Sequence, residues 1–441
     1  MEENLVTQLT ASDRAVVVGV QLAGESGEKV EEELRELESL LDTLGVQVKG
    51  RIMQKRQKLT PNCFIGTGKV QEIKDLAEST DSRLVVFDRA LSAPQVRNLE
   101  QMTSCVVLDR TGVILEIFSR HARTNQAKTQ VEIAKLEYLL PRLTGAWSHF
   151  QRQKGGGALQ RGMGEKQIEV DRRRARERIG RLQKQLEQIR KEKQTQRKSR
   201  SNELKVAIVG YTNSGKTTLM KGLTKSQVQA KDELFATLDT NVKTIDPRTR
   251  PKILLSDTVG FIRNLPHGLV ESFRTTLDEV NEADLLLHVV DVSYPYYEDH
   301  IKVTRGVLEE MGAGDIPQIL VFNKADRLND PVLPRILRAA YPGCIVISAQ
   351  VEKDIVKVRD HIYQFFRKNL VTFRLSIPAE NPNAQSLVYR NCLVIEKDFD
   401  EHAGRVLYLA QATRATMTKL RNYITAVEDE AFTSEPTESD A

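Results

Sequence analysis

The sequence predicts an α/β protein in four parts followed by a tail. These are a small N-terminal α/β domain (residues 1–122), a long antiparallel helical hairpin (123–203), a mostly parallel sheet with helices on both faces (204–369), a small C-terminal α/β unit (370–426) and an acidic disordered tail (427–441). Three observations predict it. Short β-rich runs alternate with helix-period segments, the pattern of parallel strands joined by crossover helices. A glycine-containing octapeptide, Gly210 to Thr217, stands between an apolar run and a run of helix formers. Between the two α/β regions lies a basic stretch whose apolar residues recur at helical spacing.

In the first part, Ala15 to Val20 is β-rich, and Val30, Leu34, Leu37 and Leu41 share one helical face. Leu84 to Phe87 and Cys105 to Leu108 are further short strands. Ser92 is placed to cap a helix running through Leu99, and Asp109 to Thr111 starts another that carries Val113, Ile114, Ile117 and Phe118. Gly66-Thr67-Gly68-Lys69 lacks the full spacing of a phosphate loop and reads better as a turn into a helix near Val70.

From Arg123 the period becomes helical. Val131, Ala134 and Tyr138 form one stripe and Ile133, Leu136 and Leu140 a second, until Pro141 ends or kinks the segment. Gln151 to Gly164 contains Gly155, Gly156, Gly157, Gly162 and Gly164 and reads as a flexible loop. Beyond it Ile168, Ala175, Ile179, Leu182, Leu186 and Ile189 are the seam of a long amphipathic helix. The net charge of +5 hides an asymmetry: residues 151 to 200 hold 17 Lys/Arg against 6 Asp/Glu, so the rest of the chain is net acidic.

The third part carries the chemistry. Val206 to Val209 leads into Gly210-Tyr211-Thr212-Asn213-Ser214-Gly215-Lys216-Thr217, which reads as a phosphate-binding loop. Its glycines let backbone N–H groups point at phosphates, and the following helix adds its positive end. Lys216 reaches the outer phosphate oxygens, and the Thr217 hydroxyl ligates Mg²⁺. Lys252 to Ser256 is a strand ending in Asp257-Thr258-Val259-Gly260, where a carboxylate holds Mg²⁺ through water and the Gly260 N–H senses the γ-phosphate. Ile319 to Phe322 leads into Asn323-Lys324-Ala325-Asp326, whose carboxylate can accept from both N1–H and the N2 amine of guanine; adenine offers no such pair. Cys344 to Ile347 ends in Ser348-Ala349-Gln350, placed for a backbone N–H to reach guanine O6. Together these predict a domain that takes GTP and GDP with Mg²⁺ and hydrolyses GTP. Val242 to Ile245, turning at Asp246-Pro247 into Lys252 to Ser256, predicts its one antiparallel edge pair. Where many GTPases place a water-orienting Gln after the Asp-x-x-Gly motif, this chain has Phe261, so intrinsic hydrolysis should be slow.

After Lys368, a strand from Val371 to Ile377, a helix to Tyr389, strands over Cys392 to Ile395 and Val406 to Leu409, and a helical segment to Tyr423 predict the small last unit. Residues 427 to 441 hold six acids and no base. Cys63, Cys105, Cys344 and Cys392 are scattered and the seven histidines do not cluster, which argues for a reducing compartment and against structural zinc. The longest candidate core run, Leu285 to Val290, falls far below the ~20 residues of a membrane helix. A cytoplasmic monomer without integral membrane association is expected.

With these residues in view the chain resembles the HflX-type GTPases, a branch of the translation-factor class of P-loop GTPases. The resemblance rests on Val85-Val86-Phe87-Asp88, Leu91-Ser92-Ala93-Pro94-Gln95, Arg97-Asn98-Leu99-Glu100, Asp109-Arg110-Thr111, Gln130-Val131-Glu132, Leu136-Glu137-Tyr138 and Pro141-Arg142-Leu143. It continues through Gly164-Glu165, Asp171-Arg172-Arg173, Phe235-Ala236-Thr237-Leu238-Asp239 and Asp257 to Ile262; Met163 and Lys166 depart from the usual Pro and Thr. It implies a protein that binds the large ribosomal subunit and its rRNA, not DNA, and that when GTP-bound dissociates or rescues stalled ribosomes, its hairpin loop reaching toward the peptidyl transferase region.

From the residues alone Thr237 and Thr240 are both eligible as the switch threonine on Mg²⁺; the resemblance selects Thr237, making Lys216, Thr237 and Gly260 the expected catalytic set. Asn213 resembles the residue by which related GTPases hold K⁺ beside the phosphates, and a plain turn role is equally open. A second class of function, a GTP-gated module that remodels free RNA, would use the same basic hairpin.

Overall fold

In the computed structural model, which describes residues 13–57, 62–143, 161–198, 203–225, 234–235, 241–247, 249–263 and 279–427, the chain divides into two units. One is built mainly from residues up to Lys191 and also includes Leu234, Phe235 and Arg263; the other takes the remaining described residues.

The first unit alternates β1 (Arg14–Leu22), α1 (Gly27–Thr43), β2 (Gln47–Arg56), α2 (Thr67–Ser79), β3 (Leu84–Phe87), α3 (Ala93–Thr103), β4 (Val106–Asp109) and α4 (Arg110–His121). Its sheet is wholly parallel, in the order β2-β1-β3-β4. Central β1 and β3 are covered on both faces, which is why they read as unbroken apolar runs. Edge strand β2 is one that the sequence reading misses. Gln and Arg fall on both of its faces and only Ile52 is fully buried, so neither an apolar run nor an apolar period marks it. Side chains fix the helix starts. Ser26 accepts from Lys29 N, Ser92 and Gln95 form a capping box, and Asp109 accepts from Gly112 N. Gly66 caps α2, so Gly66 to Lys69 is a turn into a helix.

Two helices, α5 (Asn125–Leu139) and α6 (Arg161–Lys198), follow. Ile133 and Leu136 share one apolar seam with Ile179, Leu182 and Leu186, and Arg178 Nε donates to Glu132 Oε1 at 2.8 Å. One expectation is corrected here. Arg161 to Gly164, assigned to the loop from sequence, belong to α6. Two glycines cost about 1 kcal/mol each, which a helix of 38 residues outweighs once nucleated. Gln151 to Gln160, the rest of that loop, lies outside the described residues.

The second unit opens with β5 (Leu204–Gly210), α7 (Lys216–Thr224), β6 (Asn241–Thr244), β7 (Ile253–Asp257), β8 (Leu285–Asp291), α8 (Tyr297–Glu310), β9 (Gln318–Asn323), α9 (Leu333–Ala340), β10 (Ile345–Val346) and α10 (Glu352–Lys368). The sheet order is β10-β9-β8-β5-β7-β6, parallel except for β6, which runs antiparallel to β7 as the sequence predicts. Leu219, Met220 and Leu223 of α7 and Ile355, Val358 and Ile362 of α10 pack on one face of this sheet. A doubly wound sheet puts its ligand outside the carboxyl ends of its strands, and those ends are Gly210, Asp257 and Asn323.

The chain closes with β11 (Val371–Pro378), α11 (Pro382–Asn391), β12 (Leu393–Asp400), β13 (Arg405–Ala412), α12 (Arg414–Lys419) and β14 (Ile424–Val427). This sheet is antiparallel in the order β12-β13-β11-β14, a split βαβ arrangement. Val371, Phe373, Leu375 and Ile377 meet Val406, Tyr408, Ala410 and Ala412 beneath Ala384, Val388 and Met417. A second correction falls here. Val427, assigned to the tail from sequence, pairs with Phe373 in β14, a four-residue edge strand too short to show a period.

Candidate nucleotide site

The loop between β5 and α7 has a geometry that only its own residues satisfy. Gly210 has φ +148° and Gly215 φ +91°. A Cβ on Gly210 would lie 2.2 Å from Val289 O, and one on Gly215 would lie 2.2 Å from Asn323 Nδ2. Asn213 occupies the left-handed region at φ +56°, which Asn tolerates better than other side chains. Lys216 Nζ donates to Tyr211 O at 2.7 Å and Gly210 O at 3.2 Å. Burial lowers its pKa to about 8; Asp257 opposes the shift and Lys324 adds to it.

Thr217 Oγ1 donates to Asp257 Oδ2 at 2.8 Å, and Thr258 Oγ1 donates to Ile208 O at 2.7 Å. Val259 is buried beside them. The buried Thr212 Oγ1 and Ser214 Oγ have no hydrogen-bond partner among the described residues. A Cβ on Gly260 would sit 2.9 Å from Thr212 Cα and 3.0 Å from Lys216 Nζ, so Gly is required for the two segments to approach. Phe261 is buried, and its backbone clips the loop: Thr212 N donates to Phe261 O at 2.8 Å and Phe261 N to Gly210 O at 3.1 Å.

Asn323 ties the base-recognition segments to the phosphate loop. Its Nδ2 donates to Ser214 O at 2.8 Å, and its Oδ1 accepts from Ala349 N at 2.9 Å. Ala325 N donates to Ile347 O at 3.0 Å, Ser348 N to Asp354 Oδ2 at 2.9 Å and Gln350 N to Ser348 Oγ at 3.4 Å. Lys324, at φ +63°, places Nζ 2.7 Å from Asp291 Oδ2. Asp326 stands exposed on a 3-10 turn. The structure thus brings Gly210 to Thr217, Asp257 to Gly260, Asn323 to Asp326 and Ser348 to Gln350 to one end of one sheet.

Ala236, Thr237, Leu238 and Asp239 lie outside the described residues. Phe235, which precedes them, is buried in the first unit at φ +57°; its ring lies 4.7 Å from Phe118, and its carbonyl is hydrogen-bonded to His121 Nδ1 at 2.8 Å. Arg263, two residues after Phe261, pairs with Glu33 at 2.7 Å. Burial raises the Glu33 pKa, as does Asp88, against the pull of Arg263.

Sequence reasoning missed several neighbours. The Tyr211 ring stacks on His300 at 3.6 Å and 5°, and His300 stacks on Tyr294 at 4.2 Å and 9°. Asp291 was missed too. Asp291 could have been noticed as an acid ending an apolar strand; the others carry no local signal.

Family profiles described as "GTP-binding GTPase N-terminal", "GTP-binding GTPase Middle Region" and "50S ribosome-binding GTPase" match residues 31–119, 121–200 and 205–324. GTPase HflX of Gluconacetobacter diazotrophicus is 41% identical, with 93% of this chain and 98% of that protein covered. GTPase HflX of Escherichia coli is 41% identical over 90% of this chain and 92% of its own length. A solved GTP-binding protein from Sulfolobus solfataricus in complex with GDP is similar over 81% of this chain and 99% of its own, at 24% identity and a TM-score of 0.42.

Proposed function

The chain belongs to the HflX family of GTPases, and from that premise we propose that it binds the large ribosomal subunit in its GTP-bound state and dissociates or rescues stalled ribosomes. GTP binding and hydrolysis are the family's chemistry. The reading assigns the cytoplasm as its compartment and a monomer as its working form. Among the described residues no helix is long and apolar enough to cross a membrane.

The observation that carries the ribosome reading is the hairpin. With Ile179, Leu182 and Leu186 turned into its seam, α6 presents Arg173, Arg174, Arg176 and Arg178 outward, in a segment holding 17 Lys/Arg against 6 Asp/Glu. Such a stripe is the electrostatic footprint of a nucleic-acid surface.

In the nucleotide site, Asp326 accepts from guanine N1–H and N2, and one backbone N–H of Ser348 to Gln350 exchanges its present acceptor within the chain for guanine O6. Lys216 turns from the Gly210 and Tyr211 carbonyls to phosphate oxygens, where its charge favours the transition state most. The donor set fits Mg²⁺, since a hydroxyl and a carboxylate, both hard oxygen donors, meet at Thr217 and Asp257. Thr217 would hold the ion directly, Asp257 through water and Thr237 as the switch ligand; the bound ion neutralises phosphate charge. Asn213 is the residue placed to hold K⁺. Gly260 N–H reads the γ-phosphate, and buried Phe261 offers no side-chain hydrogen bond to a water, so hydrolysis depends on a partner.

Sedimentation with isolated ribosomal subunits tests the reading. Co-sedimentation with the large subunit is expected with a non-hydrolysable GTP analogue and should weaken steeply with salt. Neutralising Arg172, Arg173 and Arg174 together should flatten the salt slope by up to about three phosphate equivalents. Equal binding to unstructured RNA and to subunits would favour a free-RNA remodeller instead.

A further inference from the structure

A cavity that the nucleotide chemistry does not use lies at the other end of the same sheet. Leu204 and Ile253 open β5 and β7 side by side, whereas the phosphate loop leaves the far end of β5, about 20 Å away along the strand. Around the near end a cavity of about 430 Å³ is lined by Glu203, Arg250, Lys252, Arg390 and Asn391. Glu203 precedes β5, Arg250 and Lys252 precede β7, and Arg390 and Asn391 end α11. That volume is within the range of small-ligand pockets.

The charges around it are arranged for something between them. The side chains of Glu203, Lys252 and Arg390 form no ion pair or hydrogen bond among the described residues. Arg250 is fixed, its Nη1 donating to Pro247 O at 2.6 Å and Thr249 O at 2.7 Å, which leaves Nη2 and Nε for another acceptor. Three cations suit a phosphate, and guanidinium groups suit it best. A carboxylate beside them works against a bare anion, but it is the group that proteins set against ribose hydroxyls. Asn391 adds a donor and an acceptor.

We propose that this cavity is a second ligand site, taking a ribose phosphate unit with its phosphate against Arg250, Lys252 and Arg390 and its hydroxyls on Glu203 and Asn391. A free ribonucleotide and a nucleotide within an RNA strand present the same chemistry. The site is separate from the phosphate loop, and its test does not depend on GTP hydrolysis.

The experiment measures the acylation rate of Lys252 by mass spectrometry, on the full chain with one equivalent of GDP and Mg²⁺, which fills the phosphate loop and leaves no excess ribonucleotide for the second site. Lys302, on α8 with 75% of its side chain exposed, serves as the internal reference. Ribose 5-phosphate, inorganic phosphate and a short uridine oligoribonucleotide are the probes. Ribose 5-phosphate is expected to slow Lys252 labelling by about tenfold at millimolar concentration and to leave Lys302 unchanged. The oligonucleotide acting about a hundredfold more potently than ribose 5-phosphate would identify an RNA strand as the source, and equal potency a free nucleotide. E203Q should reduce the preference for ribose 5-phosphate over inorganic phosphate to nearly none. R390Q should weaken all three probes without moving the thermal midpoint or GTP turnover. Lys252 labelling that none of the probes slows, or protection that persists in both variants, overturns the proposal.

Discussion

Two parallel sheets in this chain end in opposite ways. At the carboxyl ends of β5, β7 and β9, polar side chains bond mostly to backbone, and two buried hydroxyls, Thr212 Oγ1 and Ser214 Oγ, are left over. At the carboxyl ends of β3 and β4, charged side chains bond to one another. Arg110, almost fully buried, reaches Asp88 at 2.9 Å and Glu36 at 2.5 Å. Asp109, fully buried, accepts from Leu91 N, Gly112 N, Tyr138 Oη and Arg142 Nη2, and the Arg142 guanidinium lies 3.6 Å above the Tyr138 ring. A doubly wound topology makes both ends candidate sites. What differs is the kind of partner: in the first sheet buried charges neutralise one another, and in the second the polar side chains lean on backbone carbonyls and amides that a ligand can replace. By that measure the first sheet is locked at its strand ends, and the second is built around something it must bind.

Breaking the lock should have the largest effect. Arg110→Met leaves Asp88 and Glu36 buried without their counter-charge, which costs about 3–5 kcal/mol. Burial already raises the Asp88 pKa, with Arg110 as the main opposing influence. Denaturant unfolding followed by a probe in the first unit should show a loss of that size, while GDP affinity of the folded fraction is retained. A loss below about 1 kcal/mol would mean that solvent reaches these charges and that the contrast between the two sheets is overdrawn.

The corresponding change at the open end is Asp326→Asn. It leaves exposed surface exposed, so stability should hold, but it removes the acceptor for two guanine donors. GTP binding should weaken by more than about 2 kcal/mol, and xanthine nucleotides, which present an acceptor there, should bind the variant better than GTP does. Titration of both nucleotides against both proteins decides it; equal GTP affinity would remove Asp326 from the guanine contact.

The contrast also explains what could be read in the sequence. Phosphates demand glycines, Lys216 and Thr217 at fixed spacing because backbone geometry does, so the open site appears as contiguous motifs. The lock is assembled from Glu36, Asp88, Asp109, Arg110, Tyr138 and Arg142, spread over more than a hundred residues; five of them lie in segments that carry the family resemblance, but nothing in any one segment says that they meet. Strands followed the same rule. Central β1, β3, β5 and β8 announce themselves as apolar runs, whereas β2 and β14, at sheet edges, are polar or too short. Arg161 to Gly164 misled in the other direction, because local glycine content argued for a loop where a long helix carries through.

Proton linkage sharpens the comparison at intermediate size. The Lys216 pKa is lowered to about 8, so above that pH the side chain loses its proton in the ligand-free protein, whereas phosphate oxygens hold it charged. GDP affinity should therefore be level below pH 8 and fall by up to tenfold, about 1.4 kcal/mol, per unit above it. Folding stability moves the other way: an unfolded lysine keeps its proton to about pH 10.4, so the unfolded state binds more protons between these values and stability rises with pH across the window. Calorimetric titration of GDP from pH 7 to 9.5, with Lys216→Met as the control that should lose the dependence, measures it. A flat profile would show that Lys216 stays charged among its carbonyls.

The smallest effect should come from behind the phosphate loop. Tyr211 offers its carbonyl to Lys216 and its ring to His300, which is itself stacked on Tyr294. The motif requires a backbone at this position and no particular ring, so the stack is a support for the loop and not a contact to nucleotide. Stacked aromatic pairs add about 0.5–1.5 kcal/mol beyond their buried area. His300→Leu keeps most of the volume and removes both faces, so the cost should fall near 1 kcal/mol and appear where the loop must be held still: nucleotide affinity should drop about fivefold with kcat nearly unchanged. Tyr211→Phe keeps the ring and should behave like the parent. If His300→Leu lowers thermal stability but not nucleotide affinity, the stack supports only the packing of α8, and the loop owes its shape to Asn323 and the Phe261 backbone alone.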